Sequence, residues 1–584
     1  MIMKWNLEEL FTNTESFYKE IEYIKKLILN IKKYESVVPD AFLLEQILTL
    51  KWQIKEMANT ILVYGSLRYY KNIKSDECLK LKKDAEEFFN DVDISLKFVD
   101  QMIIRLGEEK IKAYLKENTK LEPYRFGLMN LFRLQSHLQN DEVNQKIKVK
   151  NNKINEDLTL YNSKIHDMKY GSIFVDEEEI VITPSNFAKY ITARDRNVRQ
   201  KTYLTVNKSF LEEQTFFARI LNDIYKQRLD ISFLENYSSV LEQTLFEENI
   251  DAKIITSLIK MIHENLKVSQ EYLKMKANYF GIQNPHLYDF GMAITNSSSK
   301  KYDLEEAKTI ILNALSPLGN RYQEIVKKLF EGHIDADLDE NKHPSITFSW
   351  NTYSFLNFKG AYGDLKNMIH EIGHIVNYYL SKEHQPFMYE DSTIFVGETA
   401  SLVNEILLNR YLSENATTID EKIFYLSKEI ENYYTTIFKQ VMYTEFEMNL
   451  YHLAKEKELT PNLIRKAYQK IIHKYYGESV VYDEESDIEW TRLGHLYRWS
   501  YYPYKYATGL IMASSIVDSL FSAKSLTTKD YLNFLSLGSS DDSLTLLKKI
   551  NIDLLDKQVL QKGLNVMKDD VMLLQLLLKE KTQS

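Results

Sequence analysis

The chain has one cysteine, Cys78, in 584 residues, so no internal disulfide can form and a cross-linked scaffold is excluded. Prolines number 9 and glycines 17, well under ordinary usage, which removes the punctuation that a protein of many short strands and turns requires. No apolar run approaches the roughly 20 residues needed to span a bilayer. The longest, Val571 to Leu578, is interrupted by Gln575. An excess of basic residues is missing as well. The formal net charge of -9 argues against a nucleic-acid binder, which needs a dominant basic face, and lysine-rich stretches such as Lys146 to Lys153 read as solvated surface. The start Met1-Ile2-Met3-Lys4-Trp5 has no secretory apolar region. A reducing cytoplasm is the expected location, with no membrane and no nucleic-acid partner.

What is present, 44% hydrophobic and 27% charged residues, suits a large soluble helical chain. Phe17, Ile21, Ile24, Ile28 and Ile31 make one helical stripe, and Pro39 separates it from the apolar pattern of Phe42 to Leu50. Leu81 to Leu106 and Asp141 to Met168 carry similar patterns. Between Gly171 and Pro184 the composition shifts to two β-rich runs around Asp176 to Glu179, which predicts a small hairpin with an acidic turn. The expected domains are therefore an N-terminal helical region, 1–185, and a second region, 186–584.

One stretch departs from helix filler. His370-Glu371-Ile372-Gly373-His374 sets two histidines four residues apart around a glutamate. On a helix this spacing stacks both imidazoles on one face, about one turn apart, as two ligands of one tetrahedral zinc require. Glu371 then stands beside the metal without ligating it, placed to take a proton from water held there. Asp364 offers a cap, and Leu365, Met368, Ile369, Ile372, Val376, Tyr379 and Leu380 recur at helical spacing as the buried side. Gly373 costs about 1 kcal/mol of helix propensity relative to alanine, which points to another element pressing on the backbone there.

A catalytic site needs a third ligand and one open position. Asn377 and Leu380 occupy the places where a metzincin carries glycine and histidine, excluding that class. Thermolysin-like spacing would want an acid near Ile394. Glu398, 24 residues beyond His374, is the third ligand expected instead. Ala400, Val403, Leu407 and Tyr411 predict a second helix antiparallel to the first, on which Glu405 follows two turns after Glu398, placed to orient a histidine.

The run His370 to His374, the segment Phe395 to Glu405, and His495-Leu496-Tyr497 with Tyr501 to Gly509 resemble the oligoendopeptidase F branch of the thimet oligopeptidase family of zinc metallopeptidases. Asp195 to Arg199 and the opening Trp5 to Phe11 are similar to that branch too, so the likeness spans nearly the whole chain. The resemblance implies a mainly α fold, two helical lobes around a deep central channel, and a zinc-dependent endopeptidase of short peptides with one zinc per chain. Carried over by position, His370, His374 and Glu398 match the metal ligands and Glu371 the general base. His495, Tyr497 and Tyr504 match the groups facing the substrate carbonyl, with Tyr501 and Tyr502 as neighbouring alternatives. Asn377 departs from relatives that often carry another histidine there.

Tyrosines suit such a role because a pKa near 10 keeps the donor neutral at pH 7. The competing explanation is core packing, since the chain has 40 tyrosines. Just before the zinc helix Ile346, Phe348 and Trp350 alternate with polar residues, Asn351-Thr352 offers a turn, and Phe355 to Phe358 a second short strand. This hairpin can grip an extended substrate or serve only packing. Two other classes stay open: a helical HExxH metallocarboxypeptidase, and an inactive peptide-binding relative.

Overall fold

The computed structural model describes residues 3–137, 139–295, 300–343, 347–522 and 525–583. By packing, the chain divides into two units, one of Met1–Ser136, Ser299–Tyr411 and Val517–Asn551, the other of His137–Ser298, Leu412–Ile516 and Ile552–Ser584. This division differs from a linear split at 185, because each unit gathers segments distant in sequence. A boundary drawn from a local composition shift cannot register such returns. Helices dominate both. The few strands are β1 (Ser172–Val175) and β2 (Glu178–Val181), an antiparallel hairpin in the second unit, and β3 (Ile334–Asp335), β4 (Phe348–Trp350) and β5 (Tyr353–Phe355), a sheet of order β3-β5-β4 in the first. No helix among the described residues is long and apolar enough to cross a membrane.

The first unit begins with three helices, Thr14–Lys32, Ala41–Lys71 and Asp76–Leu106. The stripe Phe17, Ile21, Ile24, Ile28 and Ile31 is buried as its spacing predicts, in a core shared with Tyr353 and Phe355 of β5. Trp5 ties that core to the sheet, its indole Nε1 donating to the Ser354 carbonyl at 2.8 Å. Beneath the sheet Lys342 is fully buried, donating to Asp335 Oδ1 at 2.7 Å, the Asp337 carbonyl at 2.7 Å and the Leu356 carbonyl at 2.9 Å. A charge removed from water this completely persists only because all its donors are satisfied.

The β4–β5 turn falls at Asn351-Thr352, with Asn351 in the left-handed region at φ 53°, a conformation asparagine tolerates better than most residues. A two-residue turn pairs Trp350 with Tyr353, so β5 starts at Tyr353, two residues before the expected Phe355. Leu356 and Phe358 then extend toward the 335–336 segment, their N–H groups donating to Asp335 and Ala336 carbonyls. Ile346 lies outside the described residues.

In the second unit the β1–β2 hairpin turns at Asp176 and Glu177, both at positive φ, which matches the twist of the strands. Asp195 caps helix Arg196–Glu212 by accepting from the Asn197 N–H at 2.7 Å. Arg199, buried, donates to Asp289 at 2.8 Å and to the Ala193 and Arg194 carbonyls. The Asp195 to Arg199 motif thus builds structure within this unit.

A second polar framework holds the segment from Gly494 to Tyr506. Arg228 donates to the Tyr497 carbonyl at 2.6 Å. Tyr501, at φ 51°, donates its N–H to Glu447 Oε1 at 2.9 Å and stacks on Tyr451 at 5.3 Å. Glu447 is wholly buried, and burial pushes its carboxyl up to about 8, against the opposing pull of the Tyr501 N–H and Arg228. The folded chain therefore keeps a proton that the unfolded chain releases near its ordinary carboxylate pKa. Stability from this group is fully present below about pH 4.5 and declines as pH rises toward 8, by up to about 1.4 kcal/mol per unit. Denaturant unfolding between pH 5 and 8 should show this slope, and Glu447→Gln, which stays neutral, should flatten it; an unchanged slope would mean the carboxyl is ionised in the fold.

Candidate metal centre

The histidine pair sits on helix Tyr362–His384. Asp364 acts from inside the helix, not at the capping position itself. Its Oδ2 reaches back to the N–H groups of Lys359 and Ala361, each at 2.9 Å. Leu365, Met368, Ile369, Ile372, Val376 and Leu380 are buried, and Tyr379 lies at the edge while Tyr378 takes the inward place. Helix Ile394–Glu414 carries the carboxylates. Asn404 donates to the Ile369 carbonyl at 3.1 Å, Glu405 meets His370, Ser401 faces Gly373, and Asn409 meets Tyr362. Partner numbers fall along one helix as they rise along the other, so the two run antiparallel.

Gly373 is where they touch. A Cβ added there would lie 2.5 Å from Ser401 Cα and 2.8 Å from its N, closer than side chains tolerate. At that contact the ligating atoms of His370, His374 and Glu398 all come within 4.8 Å of one another. The two Nε2 atoms are 3.1 Å apart, and Glu398 Oε2 is 3.9 Å from His370 Nε2.

Each imidazole is held from its far side. His370 Nδ1 is 2.8 Å from Glu405 Oε1, and the His374 ring hydrogen-bonds the backbone of Gly397. This leaves both Nε2 atoms for a cation, the arrangement that fixes tautomer and ring orientation at metal sites. Glu405 is itself buried and bridged to Lys366 at 3.0 Å. Burial would raise its carboxyl, but Lys366 and His370 outweigh that and hold it below its ordinary value. Burial, then the neighbouring His370, push His374 down to about 3; burial would lower His370 too, but Glu405 beside it outweighs that and lifts it to about 9. Two imidazoles and one carboxylate are the donor set of a catalytic zinc site, and the residues fit that ion.

Glu371, the residue between, is buried, and burial raises its carboxyl while Ser349 of β4 hydrogen-bonds it. A cavity of about 500 Å³ opens over the group, lined by His370, Glu371, His374 and Glu398, by Phe348 and Trp350 of β4, and by Asp391.

Comparison with known proteins decides the family. The model of peptidase family M3 matches residues 189–566 and that of oligopeptidase F matches 103–150. The chain belongs to peptidase family M3. Among curated members, Bacillus subtilis oligopeptidase PepF is 27% identical, covering 99% of this chain and 88% of its own, and a Borreliella burgdorferi oligoendopeptidase F homolog is 25% identical, covering 97% and 96%. The fold matches a crystal structure of oligoendopeptidase-F from Enterococcus faecium at TM-score 0.73, with 21% identity and 97% and 99% covered. Membership gives a metalloendopeptidase acting on short peptides.

The M3 chain places its remaining expected residues in the second unit. His495 is part of an aromatic cluster with Trp499, Tyr502 and Tyr506, with Tyr506 Oη 3.4 Å from His495 Nε2. Burial, then Arg498, lower the His495 pKa. Tyr497 and Tyr504 are fully buried: Tyr497 stacks on Tyr161 at 4.0 Å, and burial with Glu248 beside it keeps the Tyr504 hydroxyl protonated. Sequence reading did not single out Tyr506, Ser349 or Lys366. Lys366 was recoverable, one turn before His370 on the same face; Ser349 and Tyr506 were not, because no spacing links them to their partners.

Gly373→Ala should destabilise the first unit by about 1–3 kcal/mol through overpacking against Ser401 and weaken metal retention. Denaturant unfolding and metal content check it; an unshifted midpoint would mean the helices are not in backbone contact there.

Proposed function

We propose that this M3 peptidase is a zinc endopeptidase with one ion per chain, held by His370, His374 and Glu398, and with Glu371 as general base. The observation that carries this is the convergence of those three donors, each histidine braced from behind, beside a buried glutamate that faces the same cavity. When bound, zinc supplies Lewis acidity, which lowers the pKa of water from about 15.7 towards about 7 and polarises a carbonyl. Glu371 takes the proton of the attacking water and returns it to the leaving amine. Its burial favours the proton-bearing state, and Ser349 holds the carboxylate at one orientation. No covalent link to the chain is formed.

His495, Tyr497 and Tyr504 are proposed, on the family resemblance, as donors to the carbonyl oxygen as charge develops there. Among the tyrosines, the Tyr506 hydroxyl next to His495 supports a place for Tyr506 in the same role.

Peptides blocked at both ends separate endopeptidase from carboxypeptidase action: internal cleavage, abolished by chelator and restored by zinc, is expected by mass spectrometry. Glu371→Gln should retain zinc and lose activity by about 10²–10⁴-fold, whereas His374→Ala should lose both. An active Glu371→Gln enzyme would refute the base assignment. His495→Ala and Tyr506→Phe should each lower kcat by about 10²-fold or more with KM little changed, and Tyr504→Phe less, since its hydroxyl is buried beside Glu248. Equal kinetics for all three would remove the second unit's residues from the chemistry.

A further inference from the structure

The cavity over the metal group holds a carboxylate that the mechanism leaves unused. Three acids line it, Glu371, Glu398 and Asp391, and among the described residues no lysine or arginine does. Glu371 and Glu398 have roles. Asp391 makes no hydrogen bond or ion pair among the described residues. The nearby cation, Lys382, lies 3.8 Å from Glu390 and 3.7 Å from Glu56 instead.

The backbone on either side of Asp391 is anchored. The Tyr389 carbonyl accepts from the Ser539 N–H at 3.0 Å, the Ser392 hydroxyl bonds Asn377 Oδ1, and Thr393 Oγ1 accepts from Ser543 at 2.7 Å. Asn377 in turn donates to the Leu535 carbonyl at 2.8 Å. Asn377 thus joins helix Tyr362–His384 to the loop carrying Asp391. Two buried acids of this unit, by contrast, are paired: Asp335 with Lys342 and Glu405 with Lys366. Asp391 itself is exposed at the cavity lining, and an unpaired carboxylate in an acidic cavity attracts a positive group.

We propose that Asp391 forms a subsite of this cavity that receives an organic cation of the peptide substrate, either its N-terminal ammonium or a lysine or arginine side chain. The proposal rests on the peptide-hydrolysing reading of the site and adds a substrate class to it.

The test uses the zinc-loaded full chain and blocked peptides in which lysine, or the uncharged norleucine of similar length, is moved along the sequence. A second set compares free with acetylated N-termini. Wild type should favour the charged peptide by about tenfold in kcat/KM at one position or at the free amine, and the preference should shrink as salt rises. Which set shows the effect identifies the source of the cation. In Asp391→Asn the charged-to-neutral ratio should fall to near one. The proposal is overturned if wild type cleaves with no such preference, if Asp391→Asn keeps the ratio, or if the zinc-loaded variant loses turnover on both peptides alike, which would give the carboxylate to the chemistry. Should Asp391→Asn fail to fold, Asp391→Ser on the same peptides decides, with a charged-to-neutral ratio near one expected and an unchanged ratio overturning the proposal. Absence of all peptide cleavage by wild type would instead strike the peptidase reading.

Discussion

Direct backbone contact between two helices at Gly373 and Ser401 is the constraint on which the candidate metal group depends. Packed helices ordinarily stand 8–10 Å apart, a distance set by the side chains between them. Metal–ligand bonds are near 2 Å, and a glutamate on one helix meets two histidines on the other only when that gap is narrowed. Removing one Cβ narrows it. The helix propensity lost at Gly373 is offset by the convergence it permits, and the same approach brings Glu405 against His370 and Gly397 against His374.

Behind the two histidines lies a chain of contacts, Lys366 to Glu405 to His370, with Glu405 buried and the other two half-buried. Such groups are costly to bury, and each is tolerated because the next satisfies it. Their arrangement fixes which nitrogen of His370 points into the cavity. A helix face alone cannot do that, because an imidazole can turn about its χ2 bond. The two histidines therefore gain their orientation from the opposite helix, and the acidity of the cavity comes from Glu371, Glu398 and Asp391 at its lining.

The second unit positions its residues differently. There His495 and Tyr497 lie on a short helix, Gly494–Arg498, and Tyr504 and Tyr506 on the start of helix Pro503–Val517; the link between them is held by polar groups, Arg228 on the Tyr497 carbonyl and Glu447 on the N–H of a left-handed Tyr501. A non-glycine residue in that conformation is strained by roughly 1–2 kcal/mol, and the hydrogen bond together with stacking on Tyr451 offsets it. The result is an aromatic cluster around His495 with Tyr502 and Tyr506, while Tyr497 and Tyr504 turn into the core.

Helical periodicity, the stripe from Phe17 to Ile31, both hairpin turns and the paired histidines were readable from the sequence, because each is a local pattern whose geometry depends on residues a few positions apart. The pressing of another element on Gly373 was readable for the same reason: a glycine inside a strong helix pattern has no local excuse. Residue spacing could also single out Glu398, once helix geometry was assumed for its segment. Tertiary structure alone decided that 1–136 packs with segments near 300–411 and 517–551, that Ser349 meets Glu371, and that Tyr506, not Tyr504, lies against His495. It also left Asp391 without a partner. Those facts arise from contacts between distant segments, where the free energy of burying or pairing a group depends on neighbours that no local pattern records.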